Sequence, residues 1–277
     1  MNNNVNKTLY FLGSGNMAGA IGRGLAKCAV PLQLGFYDLT YAKAQALAAE
    51  VGGTATDNLR EAAQADVLLL AVKPQNMAEL VAELASLLRC TGQLVLTIAA
   101  GLPLAWYEQR LPEGLALVRA MPNTSAAVGA AITGLMAGQF ASADDKKIAE
   151  LVFAAVGEYI WIDESDIHAL TALSGSGPAY YYYFTEALAA AGEKLGLSAR
   201  TAQALARQTA IGVGRLLENQ PEVPLAELRR QVTSKGGTTE AALKVFAGAA
   251  DSEALPQLVE SACRACARRS EEMAADN

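Results

Sequence analysis

Lys7-Thr8-Leu9-Tyr10-Phe11-Leu12-Gly13-Ser14-Gly15-Asn16-Met17-Ala18 decides the fold. Its first six residues read as a short apolar strand. Met17 to Ala29 continues as a helix, and between them lies G-x-G-x-x-A. In this fingerprint the first glycine (Gly13) permits a tight turn and the second (Gly15) lets the backbone approach a pyrophosphate. The small third residue, Ala18, seats the helix close to the strand. The free amides and positive dipole end of the helix then face the phosphates. A lone fingerprint is weak evidence, and a bland glycine turn is the alternative. Its place between the chain's first strand and first helix favours nucleotide binding.

Working outward, the same alternation repeats. Leu34 to Tyr37 is a second strand and Ala42 to Glu50 a second helix, ended by Gly52-Gly53. Asp66 to Val72 is an unbroken apolar run, as in a strand covered on both faces, and Pro74 stops it. Met77 to Leu88 is helical, and Leu94 to Ile98 and Leu115 to Ala120 are further strands. Such alternation predicts a parallel sheet with right-handed crossovers. After Asp163 the apolar spacing becomes helical throughout: Pro178 to Lys194, a helix capped by Ser198, then Leu225 to Val232, Thr239 to Phe246 and Ala254 to Met273. The expected fold class is therefore α/β: a Rossmann-type dinucleotide domain over 1–163, followed by an all-helical domain over 164–277.

With 277 residues, 52% of them hydrophobic, the chain can fill two cores. Its net charge of −6 gives no footprint for nucleic acid or an anionic membrane. The N-terminus, Met1-Asn2-Asn3-Asn4, lacks a basic segment leading into an apolar one and reads as a frayed tail. With no apolar run of about 20 residues and four cysteines, a cytoplasmic location is expected. Cys263 and Cys266 read as two small residues one helical turn apart; a metal or redox pair is the alternative. No metal site is expected.

Asp38 ends the second strand, where an acid can accept the ribose hydroxyls of NAD and repel the 2′-phosphate of NADP. That leans toward NADH; a loop-starting acid is the alternative. The single histidine, His168, lies at a helix start and reads as a surface residue rather than an acid–base group. A cofactor must then carry the chemistry. Two second-half segments stand out. Thr171-Ala172-Leu173-Ser174-Gly175-Ser176-Gly177-Pro178-Ala179-Tyr180 is a small-residue turn feeding a helix. In Val232-Thr233-Ser234-Lys235-Gly236-Gly237-Thr238-Thr239-Glu240, glycines and hydroxyls precede a helix. Its exposed amides make a carboxylate trap or, on the plainer reading, a structural cap.

Together these segments resemble the pyrroline-5-carboxylate reductase family from Tyr10 to Met273. The match includes Phe11 to Ala18, Leu70-Ala71-Val72-Lys73-Pro74-Gln75, Ala99-Ala100-Gly101, Arg119-Ala120-Met121-Pro122-Asn123-Thr124, Ala172 to Tyr180 and Val232 to Thr239. The resemblance implies reduction of the C=N bond of 1-pyrroline-5-carboxylate to L-proline by NADPH or NADH. It also implies a homodimer built through the helical domain, with a decamer of five dimers as a further assembly. Leu12, Gly13, Ser14, Gly15, Asn16 and Met17 should bind the cofactor diphosphate. Asn58, Ala71, Val72, Lys73, Pro74, Ile98, Ala99 and Ala100 should line the cofactor groove. Met121 and Asn123 should lie near the nicotinamide. Ser234, Gly236, Gly237, Thr238 and Thr239 should hold the substrate, with Thr239 nearest the imine nitrogen.

This chain departs from the family pattern at Lys235, where proline is usual, at Ser125 and Ala242, and at Asp38-Leu39. A β-hydroxyacid dehydrogenase has a similar two-domain plan. It needs a lysine on the first helix of its second domain, and Pro178 to Ala191 has none. A non-catalytic nucleotide sensor would not need the glycine–hydroxyl loop.

Overall fold

Leu12 and the apolar runs behind it become the centre of one sheet because each run is long enough only for a strand and polar on neither face. The structure is a computed structural model describing residues 7–248 and 254–275; the expected N-terminal tail lies outside the described residues. Eight strands form the sheet: β1 (Lys7–Leu12), β2 (Leu32–Tyr37), β3 (Thr54–Thr56), β4 (Val67–Leu70), β5 (Leu94–Thr97), β6 (Ala116–Met121), β7 (Ala131–Ala137) and β8 (Gly157–Trp161). Their order is β3-β2-β1-β4-β5-β6-β7-β8. All neighbours are parallel except β6 and β7, which run antiparallel.

Strand period puts alternate residues into two layers. From β4, Val67 and Leu69 enter the layer of Phe11 and Phe36, whose rings stack 4.8 Å apart. Leu68 and Leu70 enter the opposite layer with Val95 and Leu117. Every β4 residue is fully buried, which explains the unbroken apolar run. Each such leucine contributes about 1.5–3 kcal/mol by leaving water.

The helices of this α/β portion are α1 (Asn16–Lys27), α2 (Tyr41–Val51), α3 (Leu59–Ala62), α4 (Met77–Leu84), α5 (Leu104–Glu108), α6 (Ala143–Ala154) and α7 (Ile167–Leu170). α1 buries Ala18, Ile21 and Leu25, and α4 buries Met77, Leu80, Val81 and Leu84, each set one helical stripe. α4 stops four residues before the expected Leu88, where the Leu87 amide bonds the carbonyl three residues back, that of Leu84 (2.8 Å), and the last turn tightens. α6 starts with a reciprocal capping box between Ser142 and Asp145.

β1 and β4 are tied at their N-terminal ends. The Asp66 carboxylate accepts from the Thr8 amide (2.8 Å) and hydroxyl (2.9 Å). Burial pushes the Asp66 carboxyl up, but the Thr8 bonds, with Lys7 and Arg89 nearby, outweigh it and hold the group below its ordinary value. A depressed folded-state value stabilises above the unfolded one, and the gain is lost as pH falls through the folded one. Acid titration of stability should therefore show a loss below about pH 4 that is smaller in Asp66→Asn. An identical acid slope in both proteins would refute this.

The described chain divides into two compact units. One runs to Gly175 and resumes at Ala267; the other is Ser176–Cys266. The second is helical: α8 (Gly177–Lys194), α9 (Ala199–Asn219), α10 (Leu225–Gln231), α11 (Thr238–Phe246) and the first part of α12 (Leu255–Ala275). Pro178 occupies the first turn of α8, and Ser198 caps α9 through the Thr201 amide. Ala189, Ala202 and Ala206 are buried, while Tyr181, Tyr182, Tyr183, Phe184 and Leu205 are exposed.

β3, β7 and β8 were not expected from the sequence. β7 is built from small and mixed residues, Ala131-Ile-Thr-Gly-Leu-Met-Ala137, and β8 is a half-exposed edge strand, so neither carries a clean period. Between α7 and α8, residues Thr171–Gly175 form a π-helical turn. Here the Thr171 hydroxyl donates to the Ile167 carbonyl (2.7 Å) and the Ser174 hydroxyl to that of Leu170 (3.2 Å).

Candidate active site

The C-terminal ends of the parallel strands form the candidate site, as in other open α/β sheets. β1 ends at Leu12, and the chain turns at Gly13 with φ +106°, a conformation L side chains rarely adopt. A Cβ there would lie 2.9 Å from the backbone of Ala71 and Val72. The Gly13 amide donates to the Tyr37 carbonyl (2.8 Å). Thus the turn is wedged between the ends of β2 and β4.

Gly15 caps α1 without a side-chain bond, and the first turn of α1 carries no acidic residue. Its first bonded amide is that of Gly19, which donates to the Gly15 carbonyl (2.9 Å). The amides of Asn16, Met17 and Ala18 therefore remain for an anion. A Cβ on Gly15 would meet no protein atom within 4 Å. The Ser14 hydroxyl is buried with no hydrogen-bond partner among the described residues. A buried orphan hydroxyl, bare helix amides and an approach free of side chain fit a dinucleotide diphosphate.

A groove of about 450 Å³ runs from this turn. It brings together Gly13, Ser14, Gly15, Asp38, Ala71, Val72 and Lys73, and adds Lys43, which sequence reasoning missed. The Asp38 carboxylate accepts from the Ser14 amide through Oδ2 and from the Thr40 amide through Oδ1, both at 2.8 Å. Asp38 is therefore bonded to the glycine turn itself. Asn58 is not in the groove lining. Its Oδ1 caps α3 by accepting from the Arg60 amide (3.0 Å). Pro74 opens a single 3₁₀ turn over Pro74–Asn76.

Farther along the same edge, Ile98, Ala99 and Ala100 follow β5. The last residue of that strand, Thr97, pairs its hydroxyl with the Tyr107 phenol at 2.8 Å, both fully buried. Burial pushes the Tyr107 phenol up to about 12, so it stays neutral. Met121 ends β6, and a Cβ on Gly175 would stand 3.0 Å from its Cε. Asn123 is buried and caps the next turn, its Oδ1 accepting from the Ser125 amide (3.1 Å). Arg119 of β6 is 5% exposed and pairs with Glu164 at 2.7 Å; Glu164 also accepts from the Leu104 amide (2.8 Å).

In the helical unit the second expected segment forms a turn before α11. Gly236 adopts φ +73° and its amide donates to the Glu240 carboxylate (2.5 Å). The Gly237 amide donates to the Ser234 carbonyl (3.0 Å). Gly237 is the N-cap and has no side chain to satisfy the first-turn amides. They lie beside the hydroxyls of Thr238 and Thr239, the latter half-buried. Glu240 reaches back to close the turn and pairs with Lys244 at 3.4 Å. Lys235 is exposed.

The remaining candidates take structural places. His168 is half-buried, its Nδ1 bonded to the Ser270 hydroxyl at 2.9 Å. Cys263 and Cys266 are free thiols, and Cys266 donates to the Ser176 hydroxyl (3.3 Å). Burial, with the neighbouring Cys266, pushes the Tyr180 phenol up to about 12. Among the described residues no helix is long and apolar enough to cross a membrane.

Comparison with known proteins matches two segments of the chain. A family model described as pyrroline-5-carboxylate reductase dimerisation matches residues 164–273. Another, described as NADP oxidoreductase coenzyme F420-dependent, matches residues 8–101. The chain is 39% identical to a pyrroline-5-carboxylate reductase of Haemophilus influenzae, over 96% of this chain and 97% of that one. It is 42% identical to one of Pseudomonas aeruginosa, over 96% of both chains. The solved structure of a pyrroline-5-carboxylate reductase from Coxiella burnetii superposes with a TM-score of 0.90 at 36% identity, covering 97% of this chain and 98% of that one. That of Plasmodium falciparum pyrroline carboxylate reductase with NADP bound gives 0.80 at 26% identity, covering 97% and 98%. This chain, glycine turn and helical half together, belongs to the pyrroline-5-carboxylate reductase family.

Proposed function

We propose that the protein reduces the C=N bond of 1-pyrroline-5-carboxylate to L-proline with NADPH or NADH, the last step of proline biosynthesis. It would act as a cytoplasmic homodimer, with five dimers closing into a decamer as a further assembly. Residues 1–163 form the cofactor domain and 164–277 the dimerisation and substrate domain. One observation carries the reading: two helix starts, α1 behind the Gly13–Gly15 turn and α11 behind Gly236-Gly237, have a glycine at the N-cap and so no side chain over their first-turn amides. Two anionic groups need seats in this reaction, the cofactor diphosphate and the substrate carboxylate.

Leu12 to Met17 bind the diphosphate, and the Ser14 hydroxyl donates to it. Ala71 to Pro74 and Ile98 to Ala100 border the cofactor, with Met121 and Asn123 beside the nicotinamide. The reduced nicotinamide, when bound, supplies the hydride. The amides at the start of α11, with Ser234, Gly236, Gly237 and Thr238, hold the carboxylate, and Lys235 adds positive charge at the turn. Thr239 orients the ring nitrogen. An imine carbon is far more electrophilic when its nitrogen is protonated, and a pyrroline nitrogen is basic enough to be partly protonated near neutral pH. The chain therefore needs no strong acid; its residues position the reactants, and effective molarity lowers the barrier.

Initial rates of NADPH and NADH oxidation with 1-pyrroline-5-carboxylate test the activity, and no turnover with either cofactor would overturn it. Thr239→Ala should lower kcat about tenfold, the worth of one positioned hydrogen bond, while Thr239→Ser should retain most of it. Unchanged kinetics in Thr239→Ala would remove that role.

A further inference from the structure

We infer that Lys43, rather than Asp38, sets the preference between the two cofactors by receiving the 2′-phosphate of NADPH. The inference rests on the cofactor half of the proposed reading and does not depend on the substrate. NADPH differs from NADH by one phosphate on the adenosine ribose, and in this fold that ribose lies at the end of the second strand. There β2 runs into Asp38, Leu39 and Thr40, with Lys43 in the first turn of α2.

Asp38 alone would repel a phosphate. Its two carboxylate oxygens, however, are bonded to the Ser14 and Thr40 amides. Those two bonds fix the carboxylate on the backbone, and its negative charge leaves a phosphate nearby in need of a cation. Asp38 thereby braces the glycine turn.

Three other cations stand near the turn besides α2's own helix dipole: Arg23, Lys43 and Lys73. Arg23 is committed to Glu50, with Nη1 at 3.3 and 3.1 Å from its two carboxylate oxygens. Lys73 follows β4, on the wall that also carries Glu79 and Glu83. Lys43 is exposed and forms no ion pair among the described residues. It lines both the 450 Å³ groove and a second depression of about 280 Å³ beside Ser14 and Gly15. A flexible, unpaired ammonium at the β2 end is suited to a terminal phosphate as a point charge.

The test is equilibrium titration of the full chain with NADPH and with NADH, followed by nucleotide fluorescence, without substrate. A chain inactive on 1-pyrroline-5-carboxylate would still answer the question. In Lys43→Ala the Kd for NADPH should rise about tenfold or more, while that for NADH stays within about twofold. Lys43→Arg should keep the NADPH affinity. Raising the salt should weaken NADPH more than NADH in the parent protein, and this difference should vanish in Lys43→Ala. Asp38→Asn should weaken both cofactors together and leave their ratio within about twofold. Equal effects of Lys43→Ala on the two cofactors, no effect on NADPH, or a large shift of the ratio in Asp38→Asn would each overturn the inference.

Discussion

Gly13→Ala should lose NADPH binding and a large part of the protein's stability, whereas Gly15→Ala should lose only affinity. The two glycines lie two residues apart in one motif, yet the structure asks different things of them. At Gly13 the backbone sits at φ +106°, and a methyl group would press at 2.9 Å on the Ala71 and Val72 main chain. That main chain continues from β4, whose residues are all fully buried, so it has no room to yield. The conformational cost alone is about 1–3 kcal/mol, and displacement of the strand adds to it. At Gly15 the backbone is ordinary and a Cβ meets no protein atom, so only an approaching diphosphate would encounter it. Denaturant unfolding with parallel NADPH titration separates the cases. A Gly15→Ala protein as unstable as Gly13→Ala would show that the second glycine also supports the chain.

The second large effect concerns the Arg119–Glu164 pair, and it should be asymmetric. Glu164→Ala leaves a guanidinium 5% exposed with its carboxylate gone. Stranding a buried charge costs about 3–5 kcal/mol. Because the Glu164 side chain is itself 30% exposed, water can enter its place, and a loss of about 3 kcal/mol is expected, at the low end of that range. Arg119→Met leaves Glu164 with its bond from the Leu104 amide and some contact with solvent, while the thioether fills the space. A loss of about 1 kcal/mol follows from one hydrogen bond. Urea unfolding of the two variants measures the difference, and equal losses would contradict it.

What was legible in the sequence follows from which signals are local. Lys7 to Ala18 could be read because strand, turn and helix are contiguous, and glycine chemistry at a turn is a property of one residue. Val67 to Leu70 could be read because burial on both faces leaves no polar residue to interrupt the run. β7 could not: Gly134 and Thr133 dilute its period, and its strand character comes from its two partners, β6 running the other way and β8 alongside it. The site divides in the same manner. The Gly236-Gly237 turn announces itself, but the bond from Gly236 to Glu240 needs the turn to exist first. Asp38 was read as a ribose acceptor from its position after β2. That its carboxylate folds back onto the Ser14 amide depends on two segments meeting. Lys43 gave no signal, since a lysine on an exposed helix turn is ordinary until a groove is found beside it.

The seat of Gly13 also orders events during synthesis. The turn lies early in the chain, but the wall it leans on is Ala71 and Val72, and the clasp that holds β1 to that wall joins Thr8 to Asp66, 58 residues away. A growing polypeptide that has not yet released Val72 therefore carries the fingerprint without the cradle. Nucleotide cannot guide the earliest folding of this protein; it can reward only a chain whose first, second and fourth strands have already found one another.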